Sequence, residues 1–143
     1  MLIDLSKQIS VIIPLHPRTR SALDNLGLIS KIERYLTIKP PVSYLELLNY
    51  EKNARLIITD SGGIQKEAFF IKTPCVTLRN ETEWVELMER GCNLLVPPTD
   101  KETMLKKINE YLENIDILLE KDVWSGLYGS GKACSKISSL LLN

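Results

Sequence analysis

Residues 56–59, Leu-Ile-Ile-Thr, run apolar and β-branched straight into Asp60-Ser61-Gly62-Gly63, and a helix-compatible segment opens directly behind, through Lys72. A strand, a tight turn and a helix start in such quick succession leave few folds open. They also form the geometry that holds a phosphate. Free backbone N–H groups point out of a first helical turn, and the helix dipole favours negative charge there. Two glycines let a ligand approach the backbone without a Cβ in the way. Ser61 adds a hydroxyl donor, and Glu67 stands far enough into the helix to reach sugar hydroxyls beyond the phosphates.

The rest of the chain repeats the alternation. Short apolar strands are expected at residues 11–15, 35–38, 56–59, 75–78 and 93–96, several closed by proline (Pro40-Pro41, Pro97-Pro98). Helices are expected at residues 19–26, ended by Gly27; 43–52, with Ser43 as N-cap and Glu46 as its capping-box partner; 63–71; 83–90, with Thr82 as N-cap and Gly91 as stop; 99–112, capped by Thr99 or Asp100; and 132–142. This order predicts an α/β fold, a Rossmann-like parallel sheet with helices on both faces. Ligands of such sheets bind beyond the carboxyl ends of the strands. His16, residues 60–63 and Arg79 each follow the carboxyl end of an expected strand.

The chain's 143 residues fit one domain with a real core, and 44% hydrophobic with 25% charged residues is ordinary globular usage. Eighteen basic and eighteen acidic residues cancel, so no overall field points to nucleic acid. No apolar run is long enough for a bilayer, and Asp4 with Lys7 interrupts the apolar N-terminus, which argues against a secretory signal. Cys75, Cys92 and Cys134 are odd in number and widely spaced, as expected of packing residues in a reducing, cytoplasmic setting. With one histidine and no Cys/His spacing, no metal site is expected.

Several side chains admit two readings. Arg18, Arg20 and Arg79 are candidate bidentate partners for an anion, or else solvated surface charges. His16 could serve as acid, base or phosphate donor, or as a structural histidine bonded to backbone; its place before Pro17 and Arg18 at a strand end favours function. Glu67 could grip ribose, or sit exposed in the favourable field of the first turn. Lys66 is expected to face water, and Trp84 to pack at the surface or against a partner domain.

Taken together, these segments resemble the non-hydrolysing UDP-N-acetylglucosamine 2-epimerases. Residues 13–20, ending His16-Pro17-Arg18-Thr19-Arg20, are similar to that family's His-Pro-Arg-Thr-Arg segment. Residues 59–67 resemble its Asp-Ser-Gly-Gly-x-Gln-Glu-Glu signature, and residues 74–83 its Pro-Val-x-x-x-Arg-x-x-Thr-Glu stretch. Tyr128-Gly129-Ser130-Gly131-Lys132-Ala133 resembles its Tyr-Gly-Asp-Gly-x-Ala turn, so the likeness runs from about Val11 to the end.

The resemblance implies half of a GT-B arrangement: residues 1–143 as a single C-terminal nucleotide-binding domain, with residues 131–143 packing toward an N-terminal domain that is absent here. It implies a fragment, or a split or truncated gene product, with an exposed apolar face where that domain would sit. It implies a UDP-sugar substrate, a homodimer in the complete enzyme, and no cofactor, membrane or nucleic acid. The implied reaction interconverts UDP-GlcNAc and UDP-ManNAc by eliminating and re-adding UDP. His16 would be catalytic and touch the diphosphate, together with Arg18, Ser61, Gly62, Gly63 and Arg79, while Glu67 would hold ribose. Lys66 in place of the family's first glutamate weakens any role given to that position; Trp84 in place of arginine weakens a second diphosphate contact and suggests a related sugar such as a diacetamido-uronic acid nucleotide; Ser130 in place of aspartate matters only locally. The competing readings are a donor-nucleotide domain of a GT-B glycosyltransferase and an inactive nucleotide-binding module.

Overall fold

Strands and helices alternate along the chain as expected. The structure, a computed structural model, describes residues 1–142; residue 143, the end of the segment 131–143 expected to pack toward an N-terminal domain, lies outside them. The elements run α1 (Leu2–Leu5), β1 (Ile12–Pro14), α2 (Pro17–Asn25), α3 (Ile29–Glu33), β2 (Thr37–Lys39), α4 (Tyr44–Asn53), β3 (Ile57–Thr59), α5 (Gly62–Phe70), β4 (Cys75–Thr77), α6 (Val85–Glu89), β5 (Asn93–Leu95), α7 (Lys101–Glu113), α8 (Ile115–Glu120) and α9 (Ala133–Leu141). All strand pairs are parallel, in two hydrogen-bonded groups: β1 with β2, and β3-β4-β5. The expected Rossmann-like α/β class is the one observed.

The two-residue period of a strand explains how both faces are covered. The register aligns Ile58, Val76 and Leu94 across β3, β4 and β5. That row joins one apolar cluster with Leu5, Met104, Ile108, Leu112 and Ile115, so α1, α7 and α8 cover this face. Met104, Ile108 and Leu112 recur every four residues, the apolar stripe of an amphipathic helix. The intervening row, Ile57, Cys75 and Asn93, faces the other way, and Ile57 and Cys75 cluster with Ala68 of α5. A third cluster, Phe69, Leu87, Cys92, Leu118 and Trp124, ties α5 and α6 to the segment after α8.

Element ends differ from expectation for local reasons. The first expected helix starts two residues early because His16 caps it and Pro17 fits the first helical position. β2 starts later than expected: Tyr35 and Leu36 still bond back to the Ile32 carbonyl in the turn leaving α3. α1, α3 and α8 are short helices that the pattern did not reveal. Asp100, not Thr99, caps α7, its Oδ1 accepting the Thr103 N–H at 2.9 Å. Ser43 caps α4 as expected, Oγ accepting the Glu46 N–H at 3.3 Å. Thr82 does not cap α6, which begins only at Val85; its hydroxyl is committed elsewhere, as described below.

Candidate functional site

The turn after β3 is built from the inside outward. Ser61 stands at the N-cap of α5 with extended backbone (φ −83°, ψ 129°), yet its side chain makes no capping bond. Its own N–H donates to Thr59 Oγ1 at 3.0 Å. Ser61 thus has its hydroxyl, the donor expected of it, uncommitted to the cap, while its backbone N–H is taken. Gly62 and Gly63 open the helix, where backbone N–H groups have no partner within the helix.

The turn's carbonyls are held by side chains. Gln65 Nε2 donates to the Ser61 carbonyl at 3.4 Å, and the Trp84 indole N–H donates to the Gly62 carbonyl at 2.9 Å. Gln65 is only 1% exposed, on the inward face of α5 with Ala68 and Phe69. Its Oε1 accepts from Thr82 Oγ1 at 2.6 Å and from Asn93 Nδ2 at 2.9 Å. Asn93 Oδ1 in turn accepts from Thr77 Oγ1 at 2.8 Å, and Thr82 Oγ1 accepts the Trp84 N–H at 3.1 Å. Buried polar groups that satisfy one another in this way fix a single geometry. Gln65, Thr77, Thr82 and Asn93 had not been singled out as site residues.

Lys66 and Trp84, two of the three departures from the family pattern, touch each other. Lys66 Nζ lies 4.0 Å from the Trp84 ring centroid and 4.4 Å from that of Tyr128, a cation–π arrangement rather than the expected solvated lysine. The Tyr128 hydroxyl donates to Glu86 Oε1 at 2.7 Å, and this bond holds the Glu86 carboxyl below its ordinary range. Tyr128 also meets Phe69 edge-on, centroids 5.4 Å apart. The loop before α9 is thereby pinned to α5 and α6.

Arg79 follows β4 and reaches the turn. Its Nη1 pairs with Glu83 Oε2 at 3.0 Å. Glu83 lies directly over Gly62: a Cβ there would collide with Glu83 Oε1, with Arg79 Nη1 3.8 Å away. Gly62, Arg79 and Glu83 therefore converge on one spot. Glu67 is half-buried on the side of α5 that faces α4, not an exposed helix carboxylate. It lies close enough to Tyr44 and Glu51 to raise both of their pKa values.

His16 and Arg18 stand apart. Both are exposed, and among the described residues no hydrogen bond or ion pair links them to residues 60–67. His16 Nδ1 accepts the Arg18 N–H at 3.2 Å. That acceptor role places the proton of the neutral ring on Nε2, so the outward-facing nitrogen is a donor. Arg20 takes the plain reading, a surface pair with Glu33 at 2.8 Å. Burial raises the Cys75 thiol to about 12 and that of Cys92 to about 11, which keeps both inert; Cys134 is exposed, contrary to the packing role expected for it. Among the described residues no group of His, Cys, Asp and Glu is arranged to hold a metal, and no helix is long and apolar enough to cross a membrane.

A parallel sheet with a glycine turn opening a helix past the carboxyl end of β3 defines a Rossmann-like α/β domain. The chain belongs to the UDP-N-acetylglucosamine 2-epimerase family, whose sequence profile matches residues 1–142. A UDP-N-acetylglucosamine 2-epimerase homologue of Methanococcus maripaludis is 44% identical over 93% of the chain and 36% of its own length. The UDP-2,3-diacetamido-2,3-dideoxy-D-glucuronate 2-epimerase of Pseudomonas aeruginosa is 42% identical over 92% of the chain and 34% of its own length. The structure of Methanocaldococcus jannaschii UDP-GlcNAc 2-epimerase in complex with UDP-GlcNAc and UDP superimposes with a TM-score of 0.74 at 39% identity, covering 99% of this chain and 38% of that one. The chain thus spans little more than a third of the length of the relatives it matches.

Proposed function

We propose that this chain is the nucleotide-holding part of an enzyme that interconverts UDP-GlcNAc and UDP-ManNAc, or the corresponding UDP-diacetamido sugars. In that reaction the C1–O bond breaks with its electron pair leaving on UDP, while the C2 proton is lost, giving a glycal. The proton returns to the other face of C2, and UDP adds back. The Gly62 and Gly63 N–H groups, the Ser61 hydroxyl and Arg79 bind the diphosphate, and Glu67 accepts from ribose hydroxyls. His16, through Nε2–H, donates to the diphosphate as it leaves, with Arg18 beside it. These donors act electrostatically on developing charge, which is effective only where water is excluded. One domain does not enclose such a cleft, so acid–base chemistry at C2 falls to the remainder of the enzyme.

The observation that carries this reading is the pinned turn: the Ser61 and Gly62 carbonyls are bound by side chains and Arg79 converges on Gly62, where the diphosphate takes the place now held by the Glu83 carboxylate. Membership of the family and the UDP complex of a relative support it. α9 has no buried residue, and its Ile137, Leu140 and Leu141 are exposed; we assign that apolar face to contact with the N-terminal part of the enzyme, itself a homodimer. Titrating UDP into the chain and following amide shifts tests the proposal. Gly62, Gly63 and Glu67 shift at high UDP, and no sugar turns over until the N-terminal part is supplied. Silence at those amides would refute the site, and turnover by the chain alone would refute the division of labour.

A further inference from the structure

The seam between α4 and α5 holds one group in conflict with its surroundings. Glu51 of α4 is 5% exposed, and neither carboxylate oxygen has a hydrogen-bond partner. A buried ionised carboxylate without partners is costly, so the group stays neutral instead. The charges around it do not relieve it. From α5 it faces Glu67, which adds to the effect of burial. From β4 it meets Cys75, whose thiol Glu51 pushes further from ionisation. On its own helix lies Tyr44, raised by both Glu67 and Glu51. Thr73 Oγ1, before β4, donates to the Glu51 backbone carbonyl at 3.0 Å and not to the carboxyl. Among the described residues no cation acts on this carboxyl.

We propose that Glu51 is a positioning residue for nucleotide binding: neutral in the seam, it leaves Glu67 as the single negative charge there, and its ionisation weakens the grip of Glu67 on ribose. This rests on the ribose role proposed for Glu67. Burial and Glu67 together raise the Glu51 carboxyl from 4.5 to about 7, which puts the change in the neutral range. Above that point two like charges share the seam. Glu51 is then driven out of the seam and α4 shifts against α5, which displaces Glu67.

Two measurements on the chain test this. The first needs no ligand: carboxyl carbon NMR titration of Glu51 in the wild type and in Glu67→Gln. The midpoint falls in the variant, and an unmoved midpoint overturns the proposal. The second is the affinity for UDP-GlcNAc, whose diphosphate does not titrate between about pH 6 and about pH 8.5. Wild-type affinity falls about three- to tenfold more across that range than the affinity of Glu51→Gln, or of Glu51→Met should the amide not fold, so any contribution common to both profiles cancels. Parallel profiles for wild type and variant overturn the proposal while leaving the nucleotide site intact. No binding at any pH, with the carboxyl coupling present, overturns the nucleotide reading itself and the positioning role that depends on it.

Discussion

The two candidate anion-binding segments are held in opposite ways. The turn after β3 rests on a buried relay, Thr77 to Asn93 to Gln65, with Thr82 and Trp84 closing it from the following loop. The His16 segment after β1 is exposed and held by its own helix cap and one surface ion pair. A relay whose donors and acceptors are all paired permits one arrangement, whereas an exposed cap and a solvated pair constrain little. The contrast assigns different jobs. The glycine turn is preorganised before any ligand arrives. The imidazole and Arg18 can adjust to what the turn has bound.

Breaking the relay should have the largest effect. Gln65→Leu removes the shared acceptor of Thr82 and Asn93 and strands one buried and one half-buried donor. Each costs about 1–3 kcal/mol, so the variant loses about 3 kcal/mol in denaturant unfolding and binds UDP weakly even where folded. A loss below about 1 kcal/mol would show that the relay does not fix the turn.

Glu51 tests the same scaffold with the opposite sign. The folded chain holds this proton to about 7, against 4.5 for the free group. Between those values the folded state binds more protons than the unfolded one, so stability falls as pH rises through the window and is level above it. Glu51→Met removes the penalty. Its gain in unfolding free energy is small near pH 4, grows through the window and reaches about 3 kcal/mol at pH 8. A gain equal at both pH values would assign it to packing alone.

At the other segment, two substitutions separate cap from ligand contact. His16→Ala loses the bond to the Arg18 N–H and costs about 1 kcal/mol. His16→Asn keeps a good cap and restores that stability. Both variants lose UDP affinity to the same degree if the ring touches the diphosphate. Full affinity in His16→Asn would reduce His16 to a helix cap.

This difference between segments also governs what could be read in the sequence. Strand, glycine turn and helix at residues 56–71 were legible because local rules set each one: β-branched residues, then paired glycines, then a helical period. The inward role of Gln65 was masked by its neighbours in the same motif, since nothing local distinguishes a buried amide from an exposed one. Lys66 was misjudged for a related reason: its partners, Trp84 and Tyr128, are 18 and 62 positions further along the chain. Thr82 carried a cap's residue type but was claimed by Gln65, a contact only the tertiary structure creates. The place of Glu67 opposite Glu51 likewise depends on how α4 meets α5.

The smallest expected effect lies at the far end of α5. Lys72 has φ 60°, a left-handed conformation that suits glycine. It follows the helix's last turn, where its N–H bonds to the Phe69 carbonyl at 3.1 Å and the Thr73 N–H to the Ala68 carbonyl at 2.9 Å. This is the backbone closure that commonly ends helices with glycine at that position. Lys72→Gly relieves the side-chain clash but adds freedom to the unfolded chain, for a net gain of about 0.5 kcal/mol. UDP affinity should not change, because the relay, not the helix's C-terminal closure, sets the turn that opens α5. A shift in affinity with Lys72→Gly would mean that the helix slides as a unit and that the turn is less firmly anchored from below than its buried bonds indicate.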